Sequence, residues 1–235
     1  MTSTTLILNY AGQHPVLTVA DIVAEFGMKL NTARQLLSRL TLSGQLHRIG
    51  YGRYAISKEK QDFPLEVPSA VKSVYKKLHS ELPLVDFCVY SGSVFQPLQH
   101  HVAVNNAIYV ETNRDTVETV FARLKETYDK VYYQPDARFI NDYVDLSEEC
   151  IIVKPLVTES PMRSVDDVPS PTLEKLLVDI LKDPDFDYMH GAEYDYMLEN
   201  ALNDYNVSST RLLRYARRRG LGDTLNQKLE NASSL

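Results

Sequence analysis

The stretch TVADIVAEFGMKLNTARQLLSRLTLSG, residues 18–44, decides how the N-terminal part of the chain folds. It holds two runs of apolar residues at helical spacing, separated by a short turn that begins at Gly27. Thr18 suits the N-cap of the first helix and Asn31 that of the second, while Gly27 and Gly44 suit their ends. The residues predicted to face the core are Val19, Ile22, Val23 and Phe26 in the first helix and Ala33, Leu36, Leu37 and Leu40 in the second.

Both flanks of this stretch extend the pattern. Before it, a helix that starts at Thr2 or Ser3 is expected. Its apolar face would be formed by Leu6, Ile7 and Tyr10. After it, residues 46–49 and 53–56 read as short strands on either side of Gly50-Tyr51-Gly52, which predicts a β-hairpin. Helices followed by such a hairpin resemble a winged helix-turn-helix.

The second helix and the hairpin would carry contacts to double-stranded DNA. Arginine can pair with guanine and glutamine with adenine, and both residue types occur on the outward face of the second helix. The contacts predicted from this helix and the turn before it are Lys29, Asn31, Thr32, Arg34, Gln35, Ser38 and Arg39. The contacts predicted from the hairpin, which would be the wing, are Arg48, Tyr51 and Arg53.

Charge is distributed unevenly along the chain. Residues 1–60 contain seven basic and three acidic residues, a net charge of +4. The remainder contains 18 basic and 28 acidic residues, a net charge of −10. A basic head on an acidic body favours contact of the head alone with a polyanion. The alternative is that the winged helix docks a partner protein and that its basic face is only solvated.

Composition restricts the class of protein. With 235 residues, of which 44% are hydrophobic, the chain has enough apolar side chains for a folded core. It has no run of about 18 apolar residues, and its first residues lack the features of a signal peptide. Cys88 and Cys150 lie far apart, without the spacing of metal ligands. We expect a cytoplasmic protein with no cofactor, no bound metal and no membrane partner.

A polar segment with two prolines follows the predicted hairpin and indicates a linker at residues 61–68. The winged helix-turn-helix domain would then span residues 1–60 and the effector domain residues 69–235. The effector domain alternates strands and helices over residues 69–160, which predicts a small α/β unit, and reads as helical over residues 170–235. The expected fold class is therefore α+β.

The predicted strands of the α/β unit are residues 84–90, 107–111, 131–133 and 150–153. Of the helices among them, one is expected to have Ser69 as its N-cap and another to start at Asp115.

The helical region has two recognisable starts. Ser170-Pro171 suits a cap followed by a proline at the first helical position. Ser208 suits the cap of a later helix that ends at Gly220. The first of these helices would bury a stripe formed by Leu173, Leu176, Leu177, Ile180 and Leu181. The later helix carries Arg211, Arg214, Arg217 and Arg218. These arginines bind nucleic acid or a protein partner in one interpretation. In the other, they form a solubilising face or pair with the acidic residues between 166 and 204. The sequence favours neither interpretation.

The effector domain offers one motif with a catalytic interpretation. Ser91-Gly92-Ser93 follows a predicted strand, as the glycine-serine turn of a nucleotidyltransferase does. Such an enzyme needs two carboxylates near by to hold magnesium, but residues 100–106 contain no acidic residue. We therefore expect the catalytic site to be absent or degenerate, and the chain not to be an enzyme.

Two further polar groups have structural interpretations. His100 and His101 are adjacent, so they point in different directions and are expected to lie at the surface or to pack rather than to share a metal. Asp183, Asp185 and Asp187 alternate as in part of a calcium loop, but the glycine and the distal glutamate of such a loop are missing. We expect a solvated acidic loop there.

Four segments resemble AbiEi-like antitoxins, regulators of abortive-infection (type IV) toxin–antitoxin systems. They are YSGS at residues 90–93, VFARLK at 120–125, SPTLEKLLVD at 170–179 and LRYARRRG at 213–220. The resemblance implies an autorepressor that binds its own operator through the N-terminal domain. It also implies a second domain, nucleotidyltransferase-like in shape without being the active enzyme, that counteracts a nucleotidyltransferase-like toxin, whether or not it touches the toxin directly. This chain departs from the family in one respect, because its effector domain is acidic. A strongly basic domain would have favoured a second DNA contact, which here only the helix at 211–219 could supply.

Two other functions remain as alternatives. The first is a protein-interaction module whose winged helix does not bind DNA. The second is an active nucleotidyltransferase that gathers its carboxylates from distant positions such as Asp86 and Glu111.

Overall fold

The structure is a computed structural model, and it describes residues 3–14, 16–50, 52–56 and 60–233. The chain divides into two compact units. The N-terminal unit consists of residues 1–61 with 229–235, and the larger unit consists of residues 62–228. Both units contain helices and β-sheets, which confirms the predicted mixture of the two.

In the N-terminal unit, helices precede a small antiparallel sheet. The elements in chain order are α1 (Ser3–Gln13), β1 (Leu17–Thr18), α2 (Val19–Phe26), α3 (Leu30–Leu42), β2 (Leu46–Gly50) and β3 (Arg53–Ile56). β3 lies between β1 and β2 and pairs antiparallel with both. The predicted helices and the β2–β3 hairpin are confirmed. β1 was not predicted, because two residues are too few to form a sequence pattern.

Helix ends in this unit follow from local side-chain chemistry. The Thr18 hydroxyl accepts a hydrogen bond from the Asp21 N–H (3.1 Å), and the Asp21 carboxylate accepts one from the Thr18 N–H (2.7 Å). These reciprocal bonds form a capping box, which confirms the predicted start of α2. Gly27 ends α2 in the left-handed conformation, with φ of 60°. The predicted cap of α3 is wrong: Lys29 occupies the cap position, and Asn31 lies within the first turn.

The core of the N-terminal unit fixes which face of α3 remains outside. Ala33, Leu37 and Leu40 of α3 are buried, and Leu36 is half-buried. They pack with Ile7, Ala11, Leu17, Ile22 and Leu46, which are fully or almost fully buried. Because the inward side chains recur every three or four residues, the opposite face of α3 is left to solvent.

The larger unit is built on a mixed sheet. Its strands are β4 (Phe87–Ser91), β5 (Ile108–Thr112), β6 (Val131–Tyr133) and β7 (Ile151–Pro155), in the order β4-β5-β7-β6. β4 and β5 are antiparallel, whereas β7 is parallel to both β5 and β6. β6 coincides with its predicted range, but β4 starts three residues later than predicted. The Val85 N–H donates to the Leu82 carbonyl (3.1 Å) in a turn, and Leu84 is 97% exposed.

Helices cover both faces of this sheet. The first three are α4 (Ser69–Glu81), α5 (Val117–Lys125) and α6 (Ala137–Tyr143). α4 begins one residue after its cap, which is Pro68 and not the predicted Ser69. α4 and α5 share a core with alternate strand residues, among them Val89, Val110 and Val153. The residues between these on the strands, which include Tyr90 and Glu111, therefore point to the opposite face.

A β-hairpin precedes the helical region. It consists of β8 (Met162–Val165) and β9 (Val168–Pro171), joined by Asp166 and Asp167 with φ of 50° and 64°. The predicted helix start at Ser170-Pro171 is wrong, because both residues belong to β9. The helix begins at Leu173, with Thr172 in the cap position.

The remaining helices are α7 (Leu173–Ile180), α8 (Ala192–Asp204), α9 (Ser209–Arg218) and α10 (Gly222–Ser233). All residues of α7 are buried, including Glu174, Lys175 and Asp179, so the predicted one-sided apolar stripe is incomplete. The predicted cap of α9 is confirmed, since the Ser208 side chain accepts a hydrogen bond from the Arg211 N–H (3.3 Å). None of the helices in the described ranges is long and apolar enough to cross a membrane.

Candidate nucleic-acid interface

The outer face of α3 brings together the residues predicted from this helix. All of these residues are exposed: Lys29, Asn31, Thr32, Arg34, Gln35, Ser38 and Arg39. Among the described residues, no side chain or carbonyl group pairs with the guanidinium groups of Arg34 and Arg39. The face therefore offers hydrogen-bond donors and positive charge that the N-terminal unit does not use itself.

The β2–β3 hairpin carries the remaining predicted contacts. Arg48 and Arg53 are exposed on adjacent strands, where Arg48 pairs with Tyr54 and Arg53 with Gly50 in the strand register. Arg48 already takes part in an interaction within the protein. The predicted contact Tyr51 lies outside the described residues. The hairpin thus adds two exposed guanidinium groups to the basic N-terminal unit.

α9 is the second candidate surface, and its arginines differ in what they bind. Arg211 lies 3.4 Å from both carboxylate oxygens of Glu174, and Arg218 donates from Nε to the Thr158 hydroxyl (3.0 Å). Arg214 and Arg217 are exposed. One predicted alternative was that these arginines pair with acidic residues between 166 and 204. This is confirmed for Arg211, but it does not hold for all four arginines.

Beneath α9 and α7, a buried ionic network connects the helices to the sheet. The Lys175 ammonium contacts Glu111 (2.8 Å to Oε2) and Asp179 (2.5 Å to Oδ2). The Tyr90 hydroxyl donates to Glu111 (3.0 Å), and the Tyr215 hydroxyl donates to Asp179 (2.9 Å). Burial alone would lower the pKa of Lys175, but Asp179 and Glu111 raise it well above its usual value, so Lys175 stays charged.

The network continues through Lys154. Its ammonium lies 2.9 Å from Asp183 and 2.9 Å from Asp185, and Arg219 also binds Asp183. The prediction of a solvated acidic loop is therefore wrong for Asp183 and Asp185, although Asp187 is exposed. Burial alone would raise the pKa of Asp183, but Lys154 and Arg219 lower it to about 2.

Sequence reasoning missed this network for an identifiable reason. Lys175 and Asp179 are four residues apart, a spacing that usually indicates a solvent-exposed helical pair. Their partner Glu111 lies 64 residues before Lys175. A signal was nevertheless present, because Lys175 and Asp179 interrupt a helix whose other residues are mostly leucine, valine and isoleucine.

The glycine of Ser91-Gly92-Ser93 has a packing role. A Cβ atom on residue 92 would lie 2.1 Å from the Asn105 side-chain oxygen, so only glycine fits there without movement. The Asn105 amide donates to the hydroxyl groups of Tyr109 and Tyr188, both at 3.0 Å. The close approach of Asn105 therefore explains the glycine without any need for a bound phosphate.

The other candidate ligands are engaged in structural contacts. Glu193 accepts hydrogen bonds from the backbone N–H groups of His100 (2.8 Å) and His101 (3.3 Å). Cys88 and Cys150 are free and buried, and burial raises the pKa of the Cys150 thiol to about 11. The described residues contain no group of three or more histidine, cysteine, aspartate or glutamate residues that could hold a metal ion.

Comparison with known proteins places the chain in a family. No curated protein matches it. A family model does match, over residues 32–234, a range that starts within α3 and includes the whole larger unit. The chain belongs to this family, which is DUF6577, a family of unknown function.

Proposed function

We propose that this chain is a DNA-binding regulator whose N-terminal unit is a winged helix-turn-helix. The chain order of helix, short strand, two helices and hairpin supports this arrangement. In it, α3 is the recognition helix and the β2–β3 hairpin is the wing. The observation that carries the proposal is the outer face of α3, whose basic and amide side chains are exposed and whose Arg34 and Arg39 pair with no other described group.

The dimensions and chemistry of α3 suit the major groove. A helix of 13 residues is about 20 Å long, and a major groove about 12 Å wide admits it. Residues near the start of a recognition helix contact base edges, so we assign base readout to Arg34 and Gln35. Arg39, further along α3, and Arg53 on the hairpin are assigned to phosphates. The acidic larger unit would stay away from the DNA.

We infer that the larger unit is nucleotidyltransferase-like in shape but does not catalyse the reaction. The position of the Ser91-Gly92-Ser93 turn directly after β4 supports the likeness in shape, while the packing of Asn105 against Gly92 accounts for the glycine without a phosphate. Glu111 supports the absence of catalysis, because it is the only acidic residue of β5 and its carboxylate binds the buried Lys175 ammonium. A carboxylate engaged in this way is not open to magnesium. Labelled-nucleotide incorporation that requires magnesium and is lost in Glu111→Gln would contradict the inference.

Together with the resemblance to AbiEi-like antitoxins, the proposal extends to an autorepressor that also counteracts a nucleotidyltransferase-like toxin. Expressing the neighbouring gene with and without this chain tests the antitoxin part. Growth is expected to stop with the neighbour alone and to recover with the chain present. Recovery should persist with Arg34→Ala when both genes are driven from unrelated promoters, because neutralisation is assigned to the larger unit. Growth arrest despite the chain would contradict the antitoxin role and leave DNA binding untouched.

DNA binding itself is tested by fluorescence anisotropy with the DNA upstream of the chain's own gene and with random DNA of equal length. We expect selective binding that weakens as salt rises. Arg34→Ala should cost roughly 1–3 kcal/mol of binding free energy on the upstream DNA, about a tenfold to hundredfold loss of affinity. The matched control is Arg138→Ala, which removes an exposed arginine from α6 in the larger unit and should leave affinity unchanged.

Other results of the anisotropy experiment would contradict different parts of the proposal. Unchanged affinity in both Arg34→Ala and Arg39→Ala would show that α3 is not the recognition helix. Equal binding of upstream and random DNA would reduce the proposal to a basic surface without sequence selectivity. Binding to neither DNA would favour the alternative, in which the N-terminal unit docks a partner protein.

A further inference from the structure

The larger unit contains an open cleft of about 500 Å³ that the proposed DNA binding does not use. It lies between the segment after residue 61, the β8 strand and the helices α7 and α9. The residues that the argument uses are Asp62, Arg163, Glu174, Asn206, Arg211 and Arg214, all of which line the cleft. Its volume falls within the range of small-molecule sites in proteins, about 300–1,000 Å³.

Guanidinium groups reach this cleft from two elements. Arg163 extends from β8, where its Nη2 donates to the Phe63 carbonyl (2.6 Å). Its Nε–H is buried, and no group in the described ranges accepts a hydrogen bond from it. Arg211 and Arg214 extend from α9, one turn apart and both exposed. The Arg214 guanidinium has no ion-pair or hydrogen-bond partner in the described part of the chain.

The acidic residues of the cleft already have donors. Glu174 accepts a hydrogen bond from the Ser208 N–H (2.9 Å) and lies 3.4 Å from the Arg211 guanidinium. Burial alone would raise the pKa of Glu174, but the Thr172 side chain, the Ser208 N–H and the Arg211 charge lower it, so the carboxylate is charged and compensated. Asp62 accepts a hydrogen bond from the Asn206 amide (3.0 Å). In the described part of the chain, the accessible donors that remain unused belong to Arg214 and to the Nε and Nη2 groups of Arg211, because only Arg211 Nη1 contacts Glu174.

We propose that this cleft binds a small organic anion through a phosphate or carboxylate group. The oxyanion would bind the Arg214 guanidinium, and the N–H groups of the exposed Arg211 guanidinium that do not contact Glu174 would be further donors. A guanidinium group forms paired hydrogen bonds to either oxyanion, and such charge-assisted bonds are the stronger class. The cleft has room for a body beyond the oxyanion itself, which favours an organic anion over an inorganic ion. This site is independent of the proposed DNA contact, since all of its residues belong to the larger unit.

The test measures binding of pyrophosphate and of citrate to the full chain by isothermal titration calorimetry, in a buffer without either group. Pyrophosphate represents phosphate ligands and citrate represents carboxylate ligands. The anion that binds with the higher affinity therefore shows which of the two groups the cleft prefers. Arg214→Gln is expected to weaken binding about tenfold or more. Arg217→Gln is the matched control, because Arg217 is an exposed arginine of the same helix that does not line the cleft.

A second variant changes affinity in the opposite direction. Asp62→Asn removes a negative charge from the cleft and keeps an oxygen that can accept from Asn206, so it is expected to tighten binding severalfold. A misfolded protein would not bind more tightly, so this result cannot arise from loss of structure. Binding of neither anion by the full chain would overturn the proposal. Equal binding by the full chain, Arg214→Gln and Arg217→Gln would also overturn it, because the anion would then bind elsewhere.

Discussion

At the level of single residues, Lys175 shows how a charge can be kept inside the larger unit. Its ammonium is 1% exposed, contacts Glu111 and Asp179, and lies 5.7 Å from the centre of the Tyr90 ring. Transfer of an ammonium group from water to such a site is unfavourable unless carboxylates compensate it. The side chains of Glu111 and Asp179 are both 2% exposed, but Asp179 also lies 3.5 Å from the Arg219 Nε, so Glu111 depends more strongly on Lys175.

Replacing Lys175 by methionine should therefore destabilise the protein more than an ordinary core substitution. Lys175→Met keeps an unbranched chain but leaves Glu111 and Asp179 without their shared cation. We expect a loss of about 3–5 kcal/mol in the free energy of unfolding, measured by urea denaturation followed by circular dichroism. Lys182→Met, an exposed lysine just after α7, is the control and should change stability by less than about 0.5 kcal/mol. Similar stabilities for the two variants would mean that Lys175 is not needed to compensate these carboxylates.

The lowered pKa of Asp183 leads us to expect that the stability of the protein depends on pH. Its pKa in the folded protein is about 2, below the ordinary value of 3.8, because Lys154 and Arg219 outweigh the effect of burial. A carboxyl group with a lowered pKa contributes stability above its unfolded pKa, and that contribution is lost as the pH falls from about 4 towards 2. The difference corresponds to about 2 kcal/mol.

The measurement compares the free energy of unfolding of the protein and of Asp183→Asn between pH 6 and pH 2.5. The gap between them should narrow as the pH falls below 4, because only the original residue loses its charge. Asp179 has a pKa raised by burial and also by the Asp183 charge, and it changes stability in the opposite direction, so it offsets part of this narrowing. A gap that stays constant across this pH range would contradict the assignment to Asp183.

At the level of elements, the sequence predicted those whose signals are local. Thr18 and Asp21, three residues apart, bond each other at the start of α2, and Gly27 ends the helix through its own left-handed backbone conformation. The β8–β9 hairpin was missed because its turn uses Asp166 and Asp167 in the left-handed region, without a glycine to mark it. Ser170 and Pro171 at the end of β9 have the sequence pattern that usually marks the start of a helix. Only the pairing of β8 with β9 distinguishes the two interpretations.

The capping box of α2 gives a prediction at this scale. Thr18→Ala removes the hydroxyl that accepts from the Asp21 N–H and should lower the stability of the N-terminal unit by about 1 kcal/mol. Thr18→Ser keeps the hydroxyl and should retain most of that stability. Thermal unfolding and hydrogen exchange of the α2 amides would measure both variants. Equal exchange rates in the two variants would show that the hydroxyl does not stabilise the start of α2.

At the level of the whole molecule, the two candidate surfaces differed in how far the sequence could predict them. The outer face of α3 follows from helical spacing alone, because the same periodicity that buries Leu37 exposes Arg34. The partners of the α9 arginines could not be predicted, since Glu174 is 37 residues away from Arg211 and Asp183 is 36 residues away from Arg219. The distribution of charge along the chain, with a basic N-terminal part and an acidic remainder, also restricts which part can bind a polyanion.

This charge balance predicts that phosphate contacts come from the N-terminal unit alone, and the salt dependence of DNA binding tests it. Each phosphate contact contributes about 0.9 to the slope of log affinity against log salt concentration. Arg39→Ala removes a contact assigned to a phosphate and should reduce the slope by about that amount, while Arg217→Ala should leave it unchanged. If Arg217→Ala reduced the slope as much as Arg39→Ala, α9 would also lie on the DNA. The larger unit would then hold a nucleic-acid surface despite its net negative charge, because local arginine density would outweigh the charge of the unit as a whole.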